Sequence, residues 1–141
     1  MEGKLFSFAD LFKYIRQTIS NLPQDLYEFL VSFDKSIYKN RSKTEVLDWS
    51  RDAFTKLYNF YHTSGKTDVI ISTHICLALA RLSDLIIPYL KYESDVYEEF
   101  TKLYTQLCKI AEDRMSTVVE FNYLEGYNPK YTGLYYGDGY N

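Results

Sequence analysis

The sequence predicts an all-α protein, an up-down four-helix bundle with an additional N-terminal helix. Apolar residues recur at helical spacing along most of the chain, and no segment alternates with period two for long. Capping residues and short polar turns separate these amphipathic segments, and short connections favour antiparallel neighbours. One segment, residues 69–90, is apolar on more than one side, which is typical of a central helix.

The first two helices are expected at about residues 8–20 and 23–39. Ser7 stands at the position of an N-cap, and the apolar residues after it fall on one helical face. Pro23 stands where the second helix begins, a position that accepts a residue without an amide proton. The inner stripe of that second helix is predicted to comprise Leu26, Phe29, Leu30, Phe33 and Ile37.

The third and fourth helices are separated by a turn at residues 64–66. Either Ser42 or Thr44 is expected to cap the third helix, which runs to about residue 62. Gly65 lies in the turn that breaks this helix, and Thr67 is expected to cap the fourth. Pro88 lacks an amide proton and is expected to kink the fourth helix near residues 84–88.

The fifth helix is expected to begin after Ser94 and to fade by about residue 122. Its inner positions repeat at alternating spacings of four and three, the pattern of a helix packed along another: Val96, Phe100, Leu103, Leu107 and Ile110. Gly126 and Pro129 end the helical pattern. The chain is therefore divided into a helical bundle, residues 1–125, and a Tyr/Gly-rich extension, residues 126–141.

Composition limits the classes of function. The 141 residues, 46% of them hydrophobic and 25% charged, suit one globular domain. A net charge of −3 argues against a surface wholly committed to nucleic acid. The N-terminus lacks the pattern of a secretory signal. The polar and charged residues within 69–90 favour a buried helix over a membrane-spanning one.

No motif indicates catalysis, and neither a cofactor nor a metal site is predicted. The fragment at residues 65–67, Gly-Lys-Thr, lacks the first glycine of a phosphate-binding loop and follows a helix rather than a strand. His62 and His74 lie on different helices without a recognisable ligand spacing. We expect His62 at the surface and His74 to be a hydrogen-bonded helix residue. The protein is accordingly predicted not to be an enzyme.

The spacing of the two cysteines has two alternative interpretations. If the turn between the fourth and fifth helices centres near residue 92 or 93, antiparallel packing places Cys76 and Cys108 at similar heights. They are then either two small buried side chains or a disulfide between adjacent helices.

A basic turn follows the second helix and is the candidate nucleic-acid contact. It comprises Lys35, Lys39, Arg41 and Lys43. In the up-down arrangement this turn lies at the same end of the bundle as an acidic cluster, Glu93, Asp95, Glu98 and Glu99. The two clusters either compensate each other or leave the basic turn for weak contact with phosphate, such as that of double-stranded DNA.

The extension is rich in tyrosine and almost uncharged. Residues 127–141 contain five tyrosines and three glycines, with Lys130 and Asp138 as the charged side chains. Tyrosine combines apolar area, few rotatable bonds and a hydroxyl, which suits an interface. The predicted subunit-contact residues are Tyr123, Tyr127, Tyr131, Tyr135, Tyr136 and Tyr140. A frayed terminus and base stacking on nucleic acid are the two other interpretations.

The layout of capped helices beginning at SFADLF, LPQDLY, TEVLDW, TDVIIS and SDVYEEF, followed by YNPKYTGLYYGDGYN, resembles a known class of virion proteins. It is similar to the helical-bundle coat proteins of archaeal tailed spindle-shaped (bicaudavirus-type) viruses. The resemblance implies a structural protein that self-assembles into a tube or shell, around or beside DNA, in a virion assembled in the host cytoplasm. The alternative is a small intracellular adaptor or regulator that binds another protein through its tyrosine-rich tail.

Overall fold

The computed structural model describes residues 5–90, 96–118, 120–122 and 135, with side chains for 13–90, 96–110 and 135. The five helices are α1 Phe8–Thr18, α2 Gln24–Ser36, α3 Lys43–Phe60, α4 Val69–Ile86 and α5 Tyr97–Val118. Two three-residue strands, β1 Leu5–Ser7 and β2 Glu120–Asn122, flank them. The all-α class predicted from periodicity is confirmed.

Helix α4 forms the centre of the molecule, as its apolar composition predicted. It packs against α1, α3 and α5, and every side chain from Ile71 to Leu79 is buried. Among the described residues, the stretch Val69–Tyr89 is long and apolar enough to cross a membrane, and 67% of its most apolar window is buried in the bundle. The apolar surface of α4 is therefore largely used in contacts with the neighbouring helices.

The inner stripes of α2 and α5 lie in the core, as the apolar spacing of the two segments predicted. Buried positions on the two helices are Leu26, Leu30, Phe33, Ile37, Phe100, Leu103, Leu107 and Ile110. Phe29 and Val96, which were assigned to the same stripes, are only partly buried and pack at the edge of the core. Helix α2 ends at Ser36, three residues earlier than expected, and Pro23 is its N-cap rather than its first residue.

Side-chain caps set the beginnings of α3 and α4. Ser42, rather than Thr44, caps α3: its Oγ accepts from the amide of Glu45 at 3.3 Å, while the Glu45 carboxylate accepts from the Ser42 amide at 2.8 Å. The prediction that Thr67 caps α4 is wrong. The Asp68 carboxylate accepts from the Ile71 amide at 3.0 Å, whereas the Thr67 hydroxyl points back to the preceding turn.

Replacing Asp68 with alanine is expected to lower the free energy of unfolding by about 1 kcal/mol, because the first turn of α4 loses its side-chain acceptor. Thr67→Ala is the matched control, since it removes a hydroxyl one residue earlier with little effect on the cap. Urea denaturation of both variants measures the difference. Equal destabilisation by the two substitutions would contradict the assignment of Asp68 as the cap.

The turn predicted to break the third helix instead continues it as a wider π-helical turn, Tyr61–Gly65. Gly65 is buried where this turn approaches α4. A Cβ added at Gly65 would lie 3.1 Å from Cδ1 of Ile75 and 3.2 Å from Cδ1 of Tyr61. The glycine is therefore needed for close packing against α4 rather than for ending the helix.

Pro88 ends α4 rather than kinking it. The helix stops at Ile86, and Ile87–Tyr89 form a 3₁₀ turn with the proline at its start. A proline early in a new turn has no amide to leave unsatisfied. Ser94, the predicted cap of α5, lies outside the described residues.

The two short strands were not predicted. They pair in parallel, with Leu5 opposite Glu120 and Ser7 opposite Asn122. Three residues are too few to produce a visible alternation of apolar and polar side chains. The pair joins the segment before α1 to the segment after α5, and so brings the end of the bundle next to its beginning.

Candidate functional site

A cluster of polar side chains is buried between α1, α2 and α4, and it encloses one residue of the C-terminal extension. Asp34 and Arg81 are each 1% exposed, His74 is fully buried, and Tyr135 is 4% exposed. Charged and polar groups are rarely so deeply buried unless they bind one another. The cluster is the most unusual part of the described structure and the candidate functional site.

Asp34 and Arg81 form the charged half of this site. One guanidinium nitrogen of Arg81, on α4, donates to Oδ1 of Asp34, on α2. The guanidinium also lies over two rings of α2 and its C-terminal turn, 5.7 Å from the centroid of Phe33 and 5.9 Å from that of Tyr38. Burial by itself would lower the pKa of Arg81, but the adjacent Asp34 carboxylate raises it above its usual value. Arg81 is therefore held as a cation.

Tyr135 is bound at its amide, its carbonyl and its hydroxyl. Its amide donates to Oδ2 of Asp34 at 3.1 Å, and its carbonyl accepts from the hydroxyl of Tyr27 at 3.0 Å. Its hydroxyl lies 3.0 Å from Nδ1 of His74. Burial, reinforced by the negative charge of Asp34, raises the pKa of Tyr135 well above its usual value, so the ring remains a neutral phenol. The cleft therefore binds both the backbone and the side chain of Tyr135.

The hydrogen bonds around His74 define its tautomer. The Thr18 hydroxyl lies 2.8 Å from the carbonyl of Tyr14, which can only accept, so Thr18 donates there. Thr18 Oγ1 must then accept from Nε2 of His74, 2.9 Å away. This leaves Nδ1 as the acceptor for the Tyr135 hydroxyl. Burial lowers the pKa of His74 to about 4, which keeps the ring in this neutral form.

Tyr135 was predicted to touch a neighbouring subunit. Within the single chain its side chain fills a polar cleft, where its amide, carbonyl and hydroxyl all have hydrogen-bond partners. Contact of Tyr135 with a neighbouring subunit stays a prediction. The other predicted contact residues, Tyr123, Tyr127, Tyr131, Tyr136 and Tyr140, lie outside the described residues.

The residues of the basic turn differ in exposure. Lys35 and Lys39 are exposed, whereas Arg41 and Lys43 are half-buried. The Arg41 guanidinium lies 4.4 Å from the ring centroid of Trp49, a cation–π contact. Burial lowers the pKa of Arg41, and the nearby Glu45 carboxylate opposes this effect. Contact of this turn with DNA stays a prediction.

The acidic cluster that was expected to face the basic turn is described only in part. Glu98 is exposed and Glu99 half-buried at the start of α5, whereas Glu93 and Asp95 lie outside the described residues.

The disulfide hypothesis for Cys76 and Cys108 is wrong: both residues are thiols. Cys76 is buried on α4, but Cys108 is only half-buried. Leu107 points into the core, and successive helical residues are separated by about 100°. Cys108 therefore lies on the flank of α5, beside its buried face. Of the two interpretations, separate small side chains describe the structure.

Within the part of the chain that the structure describes, no group of three or more His, Cys, Asp or Glu side chains could hold a metal ion. His62 is exposed, as expected, and its ring centroid lies 4.2 Å from that of Tyr58, with the two rings tilted by 57°. His74 is hydrogen-bonded within its helix bundle, also as expected. Both ring nitrogens of His74 are engaged with protein groups, the hydroxyls of Thr18 and Tyr135.

Asp34, Tyr27 and Thr18 were not predicted to be parts of a site, although the sequence contains a signal for one of them. Arg81 is the single basic residue in the most apolar stretch of the chain. An arginine on a central helix requires a buried anionic partner. Asp34 directly follows Phe33, which belongs to the predicted inner stripe of the second helix, so the sequence contains an acidic residue next to that stripe. No such signal pointed to Tyr135 over the other tyrosines.

Comparison of the chain with protein-family models, with curated proteins and with solved structures finds no match.

Proposed function

We propose that the protein is a structural, self-assembling subunit, of the virion coat type, whose copies are joined by exchange of the Tyr135 anchor. The observation that supports this is the cleft between α1, α2 and α4. Every group that binds Tyr135 belongs to the bundle, so the cleft would receive the same residue from a second copy with the same hydrogen bonds. Exchange of an identical element between copies is a low-cost route to oligomers.

The length of the connecting chain permits such an exchange. Twelve residues, 123–134, connect the end of β2 to Tyr135. Fully extended, this connection spans about 40 Å, which is more than the width of a small domain. Whether Tyr135 occupies its own cleft or that of a neighbour then depends on protein concentration. A short connection within one chain competes at an effective concentration in about the millimolar range, so exchange is expected in concentrated or locally ordered protein.

DNA is a secondary partner in this proposal. Lys35 and Lys39 are exposed and could contact phosphate where subunits line a genome. The mildly acidic chain, with a net charge of −3, suits a coat beside DNA better than a protein that wraps it alone.

The expected result for the intact chain is a mass that rises with concentration in light scattering, from a monomer at about micromolar to larger species as millimolar concentration is approached. A peptide of residues 126–141 is expected to reduce this assembly by filling vacated clefts. The matched control is the same peptide with Tyr135→Ala, which loses the hydroxyl bond to His74 and the ring.

These measurements test self-assembly and the role of the Tyr135 anchor separately. If the intact protein remained monomeric at millimolar concentration, self-assembly would be the wrong function. If it assembled but neither peptide had an effect, the subunits would be joined elsewhere and the role of the anchor would be wrong. Capture of a different protein, competed by the native peptide alone, would support the adaptor alternative over the coat subunit.

A further inference from the structure

A groove of about 490 Å³ lies between α3, the π-helical turn and α5, away from the residues that bind Tyr135. Aromatic side chains and long polar side chains form much of its wall. They include Tyr58, His62, Lys66 and Lys109. The volume is within the range of binding clefts in proteins.

The chemistry of this groove favours an anionic occupant that carries an aromatic ring. Tyr58 is 42% exposed, and its ring packs against His62. Lys66 and Lys109 are exposed and supply positive charge. No carboxylate is among the lining residues that the structure describes.

The start of α5 carries the complementary chemistry. Its first three residues are Tyr97, Glu98 and Glu99, one tyrosine beside two acidic side chains. Glu98 is exposed, and Tyr97 and Glu99 are half-buried. This acidic segment therefore offers both features that the groove favours, negative charge and an aromatic ring.

The acidic segment cannot reach the groove of its own chain. Glu99 and Lys109 belong to the same continuous helix, and ten residues of α-helix hold them about 15 Å apart along its axis. An acidic segment that fills the groove of one copy must therefore come from another copy.

We propose that the acidic start of α5 in one copy docks into the α3–α5 groove of the next. This inference rests on the proposed self-assembly and names a second contact for it. The two surfaces differ, so the contact is heterologous, and repeated docking generates a ring or an open filament rather than a closed dimer. Such a contact would add a direction of growth that anchor exchange alone does not specify.

Opposite charge reversals test the contact. The groove variant Lys66→Glu/Lys109→Glu and the segment variant Glu98→Lys/Glu99→Lys are each expected to weaken self-association by about tenfold or more, because like charges then face each other. Mixed in equal amounts, the two variants are expected to associate in alternation, since each groove meets a segment of opposite charge. Light scattering and analytical ultracentrifugation measure both effects. Native association is also expected to weaken as salt rises from about 50 to about 500 mM.

The control variant Lys13→Glu/Arg16→Glu changes the net charge by the same amount as the groove variant. Its two substitutions lie on α1, where both side chains are exposed. It is expected to associate like the native chain. If the groove variant also associated like the native chain, the inference would be wrong while anchor exchange could still stand. Absence of native assembly at millimolar concentration would refute both the proposed function and the groove contact that rests on it. Failure of the mixture to associate would refute the groove contact.

A small ligand is the rival occupant of the groove. ATP and a single-stranded oligonucleotide each combine an aromatic ring with phosphate, and either could be tested by titration into the native chain. Binding that is lost in the groove variant, while self-association is unchanged, would identify a ligand site and overturn the contact between copies.

Discussion

Replacing Arg81 with methionine is expected to lower the free energy of unfolding by about 3–5 kcal/mol, because it leaves the Asp34 carboxylate buried without its cation. Asp34 is 1% exposed, so water cannot take over the role of the guanidinium. The amide of Tyr135 would still donate to Asp34, but one neutral donor does not neutralise a buried charge. Urea denaturation at neutral pH, followed by circular dichroism, measures the loss.

A double variant distinguishes the lost ion pair from lost packing. Asp34→Asn/Arg81→Met removes both charges, and the asparagine oxygen still accepts from the Tyr135 amide. Much of the stability is therefore expected to return, since buried ion pairs can often be replaced by neutral groups at little cost. The exposed pair Arg51–Asp48, 3.8 Å apart, provides the control: Arg51→Met is expected to cost less than about 1 kcal/mol. Arg81→Met costing no more than this would contradict the buried pair.

Acid is expected to destabilise the native chain through His74. Burial lowers the pKa of His74 to about 4, whereas the imidazole of an unfolded chain titrates near its ordinary value of about 6.5. The neutral ring is therefore favoured in the folded state. Its full contribution is present above pH 6.5, declines as the pH falls from about 6.5 to about 4, and is lost below that, a loss of about 3 kcal/mol.

The physical reason for the acid effect lies in the hydrogen bond to Tyr135. Protonation adds a hydrogen to Nδ1 of His74, the atom that accepts from the Tyr135 hydroxyl. Two donors would then face each other until the hydroxyl turned to accept, with a new charge left in a buried site. Acid is therefore expected to loosen the anchor as well as the bundle.

Denaturant midpoints at pH 7, 6, 5 and 4 test this effect. Carboxylates also titrate in this range, so the informative quantity is the difference between the native chain and His74→Gln, which cannot take up the proton. The native chain is expected to lose about 3 kcal/mol more than this variant. The control His62→Gln changes an exposed histidine and should follow the native curve. Parallel curves for the native chain and His74→Gln would show that His74 does not carry the acid sensitivity.

Local features of the sequence predicted much of the bundle. Capping residues and apolar spacing located all five helices, and the composition of residues 69–90 identified the central one. Errors occurred where two neighbouring residues could play one role, as with Thr67 and Asp68 at the start of α4. The choice there depends on which oxygen reaches the amide of Ile71, and sequence alone does not contain that geometry. The same holds for Gly65, whose need for a small side chain comes from α4.

The candidate site was less predictable than the fold. His74 and Arg81 were visible as polar residues in an apolar helix, but their partners are distant in the chain: Asp34 is 47 residues from Arg81, and Tyr135 is 61 residues from His74. Spacing along a helix reports which residues share a face, not which residue of another segment meets that face. The tail tyrosines are alike in sequence, so nothing in their pattern singled out Tyr135.

The sequence by itself determined that this chain forms capped amphipathic helices around one apolar helix, because helical periodicity and capping are properties of neighbouring residues. It also determined that the chain ends in a segment rich in tyrosine and poor in charge. Only the tertiary structure decided that Tyr135 is bound by Asp34, Tyr27 and His74, and that Cys76 and Cys108 are separate thiols. Those outcomes depend on how the helices are rotated and packed. A buried polar group forms its hydrogen bond with whichever partner the packing brings within reach.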